Sequence, residues 1–280
     1  MYHFTINIIK KGLKYMNKIL LTGSHGYIGS HLRHIIDGFD CIDLQLGCDI
    51  LDPDLDIAQY DTIIHLAAWV QVGQSVENPT EYYHNNINGT LNLLKKFKGS
   101  HFIFASTGAA ANSLNSPYAI SKKVCEDIIQ EQAIKNGFDF TIFRFFNVIG
   151  SAFGLNPTNP DGLFHALKTS QSRGYFNIYG YDYNTPDGTC VRDYVHVMEI
   201  CGAIKNAIGN PSNSIESLGH GIGYSVKEIV ELYKKLNNLD FEIKYVDRRD
   251  GDLEISVLDN VSTYLPNLYS IETMLLDDTK

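Results

Sequence analysis

Short apolar runs alternate with longer amphipathic stretches along the first two-thirds of the chain. KILLTG (18–23), FDCIDL (39–44), DTIIHLAA (61–68), HFIFAS (101–106) and FTIFRFFN (140–147) each have the length and the β-branched or aromatic content of a buried strand. Between them lie stretches of helical periodicity at 27–36, within 80–97 and at 117–136. Such alternation predicts an α/β fold: a Rossmann-type, doubly wound parallel sheet with helices on both faces. After Gly150 the pattern changes. Residues 151–162 are rich in Asn, Pro and Gly and read as loop, and shorter helical stretches follow near 163–173, 196–208 and 225–237.

The organisation expected from this pattern has three parts. Residues 1–17 form a disordered extension, 18–150 a dinucleotide-binding domain, and 151–280 a smaller α/β lobe for substrate, interleaved with the first. The extension is basic but has no arginine and no small-residue cleavage site, which argues against a targeting peptide. One stretch is compressed: only about sixteen residues separate the strand ending near Leu44 from the one starting near Asp61. A full strand–helix–strand crossover needs more, so a crossover helix is expected to be absent or reduced to a turn.

Composition narrows the function. The formal net charge is −9, which argues against a general nucleic-acid binder. No apolar run is long enough for a membrane span. The five cysteines form no CxxC pair and are odd in number. They read as free thiols of a reducing, cytoplasmic compartment, with neither a disulfide framework nor a metal site.

The glycine pattern TGSHGYIGSHL carries the first chemistry. Gly23, Gly26 and Gly29 stand in G-x-x-G-x-x-G order between a strand and a helix. Glycine permits the tight turn and the close approach of a pyrophosphate, and the helix N-terminus offers free N–H groups and a partial positive charge. Asp43, about twenty residues on at the end of the second strand, is placed to accept ribose hydroxyls and to repel a 2′-phosphate, which favours NAD over NADP. Asp49 and Ile50 are candidates for the adenine pocket.

Tyr118 and Lys122, four apart in SPYAISK, share one face near a helix start. A phenol must lose roughly three units of pKa, about 4 kcal/mol, to serve as a base at neutral pH. A neighbouring ammonium and a cationic nicotinamide are the expected source. Ser106 and Thr107 end the intervening strand, with Thr107 placed to hydrogen-bond the reacting hydroxyl.

With these residues in hand the chain resembles the extended short-chain dehydrogenase/reductases, in the NAD-dependent epimerase/dehydratase family. The resemblance runs from residue 18 to about 260. It rests on TGSHGYIGSHL, HLAA (65–68), VGQSVENPTEYYHNNINGTLNLL (72–94), SPYAISK (116–122), RFFN (144–147), DGTCVRDYVHV (187–197) and RRDGD (248–252). It implies NAD held by Gly23, Gly26, Tyr27, Ile28, Gly29, Asp43, Asp49, Ile50, Ala67 and Asn85, with Tyr118 and Lys122 at the nicotinamide ribose. Thr107 and Tyr118 would face the sugar. Asn147, Tyr179, Arg192, Arg249 and Asp252 would contact the nucleotide, with the arginines clamping a diphosphate and Tyr179 stacking on uracil. Ser256 would stand where a bulky tyrosine narrows the sugar pocket in some members.

The implied activity is epimerisation at C4 of a nucleotide sugar, UDP-glucose/UDP-galactose or the N-acetyl analogue. The implied assembly is a homodimer through a four-helix bundle of segments 80–97 and 117–136. A nucleotide-sugar reductase that releases NAD(P) and a non-catalytic NAD sensor remain open alternatives. A 4,6-dehydratase is disfavoured, because Gly108 and Ala109 stand where it needs an Asp-Glu pair. Departures from the family pattern are Phe145 for a tyrosine, Val70 for a lysine, Asp161 and Gly162 for an asparagine pair, and a short loop between Thr107 and Tyr118.

Overall fold

Side chains of neighbouring residues in the first strand part to opposite sides. Ile19 and Leu21 join one buried cluster with Ile64, Ile103 and Phe143, while Leu20 joins another with Ile63, Phe102 and Phe104. Period two with both faces apolar is the signature of a sheet covered on both sides. The computed structural model describes residues 18–112, 114–157, 159, 162–265 and 269–276. The extension 1–17 and Asp161 lie outside the described residues.

The elements follow in order. β1 (Ile19–Thr22), α1 (Tyr27–Ile35), β2 (Phe39–Ile42), β3 (Thr62–His65), α2 (Val72–Glu77), α3 (Pro79–Tyr83), α4 (Gly89–Lys96), β4 (His101–Thr107), α5 (Ala109–Asn112), α6 (Pro117–Asn136), β5 (Asp139–Phe145) and β6 (Asn147–Ile149) make up the first half. Then come α7 (Leu163–Arg173), β7 (Tyr175–Tyr179), β8 (Val191–His196), α8 (Val197–Gly209), β9 (Ser214–Leu218), β10 (Gly223–Ser225), α9 (Val226–Asn237), β11 (Glu242–Val246), β12 (Ile255–Ser256) and α10 (Ile271–Leu275).

Among the described residues the main sheet has six parallel strands in the order β2-β1-β3-β4-β5-β9. Helices α1 and α8 cover one face, and α4 and α6 the other. The expected doubly wound sheet is present. The direction of winding reverses between β1 and β3, which opens a crevice at their carboxyl ends. The compressed crossover is also as expected: β2 is followed by a single 3-10 turn, Leu44–Leu46, and loops on to β3 without a helix. Its carbonyls are met from α4. Asn92 Nδ2 donates to Ile50 O and Asp52 O at 2.8 Å each, and Lys96 Nζ to Leu55 O at 2.8 Å.

Three elements differ from the sequence expectation. The helix expected within 80–97 is interrupted by a π-helical stretch, His84–Asn88, between α3 and α4. The run 140–147 ends as a strand at Phe145, and Asn147 begins β6 in a different sheet, parallel to β8. β9, from the C-terminal third, completes the main sheet. Beyond it, β10-β8-β12 and the pair β7–β11 pack with α7, α9 and α10 around Phe164, Leu167, Ile229, Tyr233 and Met274.

Candidate active site

The crevice starts at the glycine loop. Gly23 has φ +72°, and a Cβ there would lie 2.7 Å from Ala67 N; a Cβ on Gly29 would lie 2.2 Å from Gly23 O. Both positions therefore admit only glycine. Gly26 caps α1 without a side-chain hydrogen bond, so the first-turn N–H groups of Tyr27, Ile28 and Gly29 face the crevice without a side-chain acceptor. Asp43 steadies the loop: Oδ2 accepts His25 N–H at 2.9 Å and Oδ1 accepts Gln45 N–H at 3.0 Å. These features fit a dinucleotide: a glycine cradle, an uncapped helix start and a carboxylate at the tip of the second strand.

The crevice encloses about 870 Å³. Gly23, Gly26, Tyr27, Ile28, Gly29, Asp43, Asp49, Ile50, Ala67, Asn85, Thr107, Tyr118, Lys122 and Asn147 all line it. Within that set, three side chains are already engaged in hydrogen bonds within the protein. The Tyr27 hydroxyl donates to Gly150 O, Asn85 Nδ2 donates to Asn86 Oδ1 at 3.0 Å, and Asp49 accepts Leu51 N–H at 2.9 Å.

Tyr118 stands where it does because the start of α6 is fixed. Ser116 caps the helix, accepting Ala119 N–H at 3.2 Å, and Pro117 fills the first helical position. Lys122 follows one turn later and is buried, its Nζ donating to Ala105 O at 2.8 Å over the Phe104 ring. Burial pulls the Lys122 ammonium down to about 8, against the raising influence of Cys125 and Glu126. Burial likewise pushes the Tyr118 phenol up to about 12; Thr107 acts to lower it and Tyr82 to raise it. The expected lowering of the phenol draws on the ammonium together with a cationic nicotinamide. In the protein alone, loss of water dominates at Tyr118, and the Lys122 ammonium donates to a β4 carbonyl.

A smaller cavity of about 170 Å³ adjoins the crevice and shares Thr107, Phe145, Phe146 and Asn147 with it. Arg192, Asp252 and Ser256 line it. Arg192 and Ser256 are register partners in β8 and β12, and Arg192 NH2 lies 3.9 Å from Asp252 Oδ1. Asn147 is fixed by donating to Asp193 O at 3.2 Å. Tyr179 and Arg249 line neither cavity. The guanidinium lies 3.6 Å over the Tyr179 ring, stacking the two side chains on each other.

Several supporting residues were not singled out from the sequence. Buried Asn86, in the π-helical stretch, accepts Trp69 N–H at 2.9 Å and donates to Trp69 O and to Ser121 Oγ at 3.1 and 3.0 Å. It clamps the crevice wall after β3 to α6. Asp193, also buried, accepts N–H groups of His220, Gly221 and Leu258 behind Asn147. Among the described residues no group of three or more His, Cys, Asp or Glu side chains could hold a metal ion, and no helix is long and apolar enough to cross a membrane. Five cysteines are free.

The sequence profile described as "Epimerase: NAD dependent epimerase/dehydratase family" matches residues 19–219. The chain belongs to this family. The family match spans the glycine loop, the whole main sheet and the Tyr118–Lys122 helix. A UDP-glucose 4-epimerase of Haemophilus influenzae is 32% identical, over 84% of this chain and 87% of its own. One from Rhizobium meliloti is also 32% identical, over 87% and 89%. The crystal structure of UDP-glucose 4-epimerase from Bifidobacterium longum in complex with NAD+ and UDP superposes with a TM-score of 0.79 at 26% identity, covering 92% and 96% of the two chains. The UDP-Glc/GlcNAc 4-epimerase of Campylobacter jejuni superposes with a TM-score of 0.73 at 27% identity, covering 92% and 97%.

Proposed function

We propose that this chain is an isomerase that inverts C4 of a UDP-sugar with bound NAD. The observation that carries this reading is one crevice in which Thr107, Tyr118 and Lys122 face an uncapped glycine-loop helix. Gly23, Gly26 and Gly29 with the first turn of α1 would hold the pyrophosphate, Asp43 the adenosine ribose, and Lys122 the nicotinamide ribose. When bound, NAD supplies a hydride acceptor and donor at C4 and a positive charge beside Tyr118.

Tyr118 takes the proton from the C4 hydroxyl and later returns it, and Thr107 hydrogen-bonds that oxygen in both steps. Asn147, Arg192 and Asp252 hold the nucleotide end while the sugar turns over, so that binding energy retains the intermediate. Arg249 joins them by leaving Tyr179, which frees that ring for the base. Ser256, small and in the cavity wall, suits a sugar with a 2-acetamido group. On this reading residues 18–150 serve the cofactor and 151–280 mainly the substrate, with α8 and β9 returning to the main sheet.

We further propose a cytoplasmic homodimer joined through the outer faces of α4 and α6, where Leu91 and Ile134 are exposed; a monomer in sedimentation would remove that part. The activity is tested by incubating the protein with UDP-galactose and UDP-N-acetylgalactosamine and following the anomeric protons by NMR. Interconversion with the gluco-epimer, without net NADH consumption, is expected. Net NADH consumption would instead make it a reductase, and tight NAD binding with no conversion across UDP-sugars would make it a sensor.

A further inference from the structure

The face of α6 that carries Tyr118 and Lys122 continues, one turn further, to Glu126. Three polar residues at i, i+4 and i+8 form a column against the sheet. Glu126 is fully buried, with none of its surface exposed. Its carboxylate is saturated from two strands. Arg144 Nε donates to Oε1 at 2.9 Å and Arg144 NH2 to Oε2 at 2.6 Å, a bidentate pair, and Ser106 Oγ donates to Oε1 at 2.5 Å. Ser106 and Arg144 are register partners in β4 and β5, next to the pair Thr107 and Phe145, and Ser106, Thr107 and Phe145 all line the crevice.

A buried ion pair is a poor way to gain stability, because desolvation offsets much of the attraction, and an apolar trio would serve packing as well or better. Its location points to another use. Lys122 is itself a buried ammonium with a carbonyl and an aromatic face as neighbours. The titratable groups that face it are Tyr118, Cys125 and Glu126 from α6, His65 from β3 and, beyond Glu126, Arg144 from β5. His65 is uncharged, pulled down to about 3 by burial and by Lys122. Glu126 is the carboxylate in that set, and it accepts hydrogen bonds from side chains of two strands, Ser106 and Arg144.

We propose that Glu126 is a positioning residue for the Tyr118–Lys122 pair, keeping the Lys122 ammonium charged in its buried site and locking α6 to the ends of β4 and β5. This rests on the epimerase reading for its use, but not for its test. Removing the carboxylate takes away one of the two influences, Cys125 being the other, that oppose burial at Lys122, so its titration moves to lower pH. The alkaline limb of kcat, where Lys122 loses its proton, moves down with it.

The test compares the full chain, saturated with NAD, with Glu126→Gln. The Lys122 Cε resonance is followed by NMR in protein labelled with 13C-lysine, with Lys122→Arg to assign it. A downward shift of about one unit in the Lys122 midpoint is expected, together with the same displacement in the alkaline limb of kcat and at least tenfold lower kcat at pH 8. Because Glu126→Gln strands the Arg144 charge, the double variant Glu126→Gln/Arg144→Gln is run beside it. An unchanged Lys122 midpoint in a folded variant overturns the proposal, and so does failure of both variants to fold, which would assign the pair to stability alone. If the parent turns over no UDP-sugar and Glu126→Gln nonetheless shifts the Lys122 midpoint, the positioning role stands and the epimerase reading falls.

Discussion

At the residue scale, charge and solvent pull the catalytic pair in opposite directions. Burial raises the Tyr118 phenol and lowers the Lys122 ammonium, so the protein alone holds a neutral phenol beside a weakened cation. The proton-transfer role proposed for Tyr118 therefore depends on charge brought with the cofactor. Tyr118→Phe deletes the hydroxyl and keeps the ring. Turnover should fall roughly 10²–10⁴-fold, while bound NAD, read by absorbance of the purified protein, stays. Turnover within a few-fold of the parent would remove Tyr118 from the reaction. The spacing Tyr118–Lys122 was legible because both lie on one helix. Glu126 and Arg144 were not, since each alone reads as a surface charge and nothing in the spacing joins a helix position to a strand position 18 residues on.

At the element scale, both ends of α6 and the C-terminal end of α7, at Gly174, follow from local chemistry. For α6 a Ser-Pro start and a Gly137 at φ +74° set both ends. The crossover from β2 to β3 is different. Its shortness was plain in the sequence, but how a helix-free loop keeps its carbonyls satisfied was not. Asn92 and Lys96 do this from α4, holding Asp49 and Ile50 at the crevice wall. Asn92→Leu removes two donors from Ile50 O and Asp52 O. A loss of about 1–3 kcal/mol in urea unfolding is expected, with weaker NAD binding by calorimetry. Unchanged unfolding and unchanged NAD affinity would show that the loop stands without Asn92. The π-helical stretch in the α3–α4 segment has no period in the sequence to announce it. It is explained by what it presents, since Asn86 reaches both the β3 loop and α6 from there.

At the scale of the whole molecule, several buried histidines make stability depend on pH. Burial pulls His65 to about 3, and His101 and His196 each to about 4. In the unfolded chain they take up protons near 6.5. Between those limits the unfolded state binds more protons, so stability falls as pH drops from about 6.5 toward 4, by about 1.4 kcal/mol per unit for each histidine. His220 works the other way. Glu199 raises it, so its contribution is present at low pH and lost as pH rises through its folded value. Burial lowers His31 as well, so with four against one the urea midpoint should be lower at pH 5 than at pH 7, and His101→Gln should flatten the difference. Equal midpoints at both pH values would count against neutral buried histidines.

The sequence by itself determined the winding of the sheet, the glycine cradle and the helix that carries Tyr118 and Lys122. Each of these is written in neighbouring residues: period two, period 3.6, and turn residues at fixed offsets. Tertiary structure alone decided which strand closes the sheet, since β9 reaches β5 across some seventy residues of chain. It alone also joined Asn147 to Arg192 and Ser256 around a second cavity, stacked Tyr179 on Arg249, and paired Glu126 with Arg144. Those arrangements depend on side chains far apart in sequence meeting where water has been excluded, and no local pattern encodes that meeting.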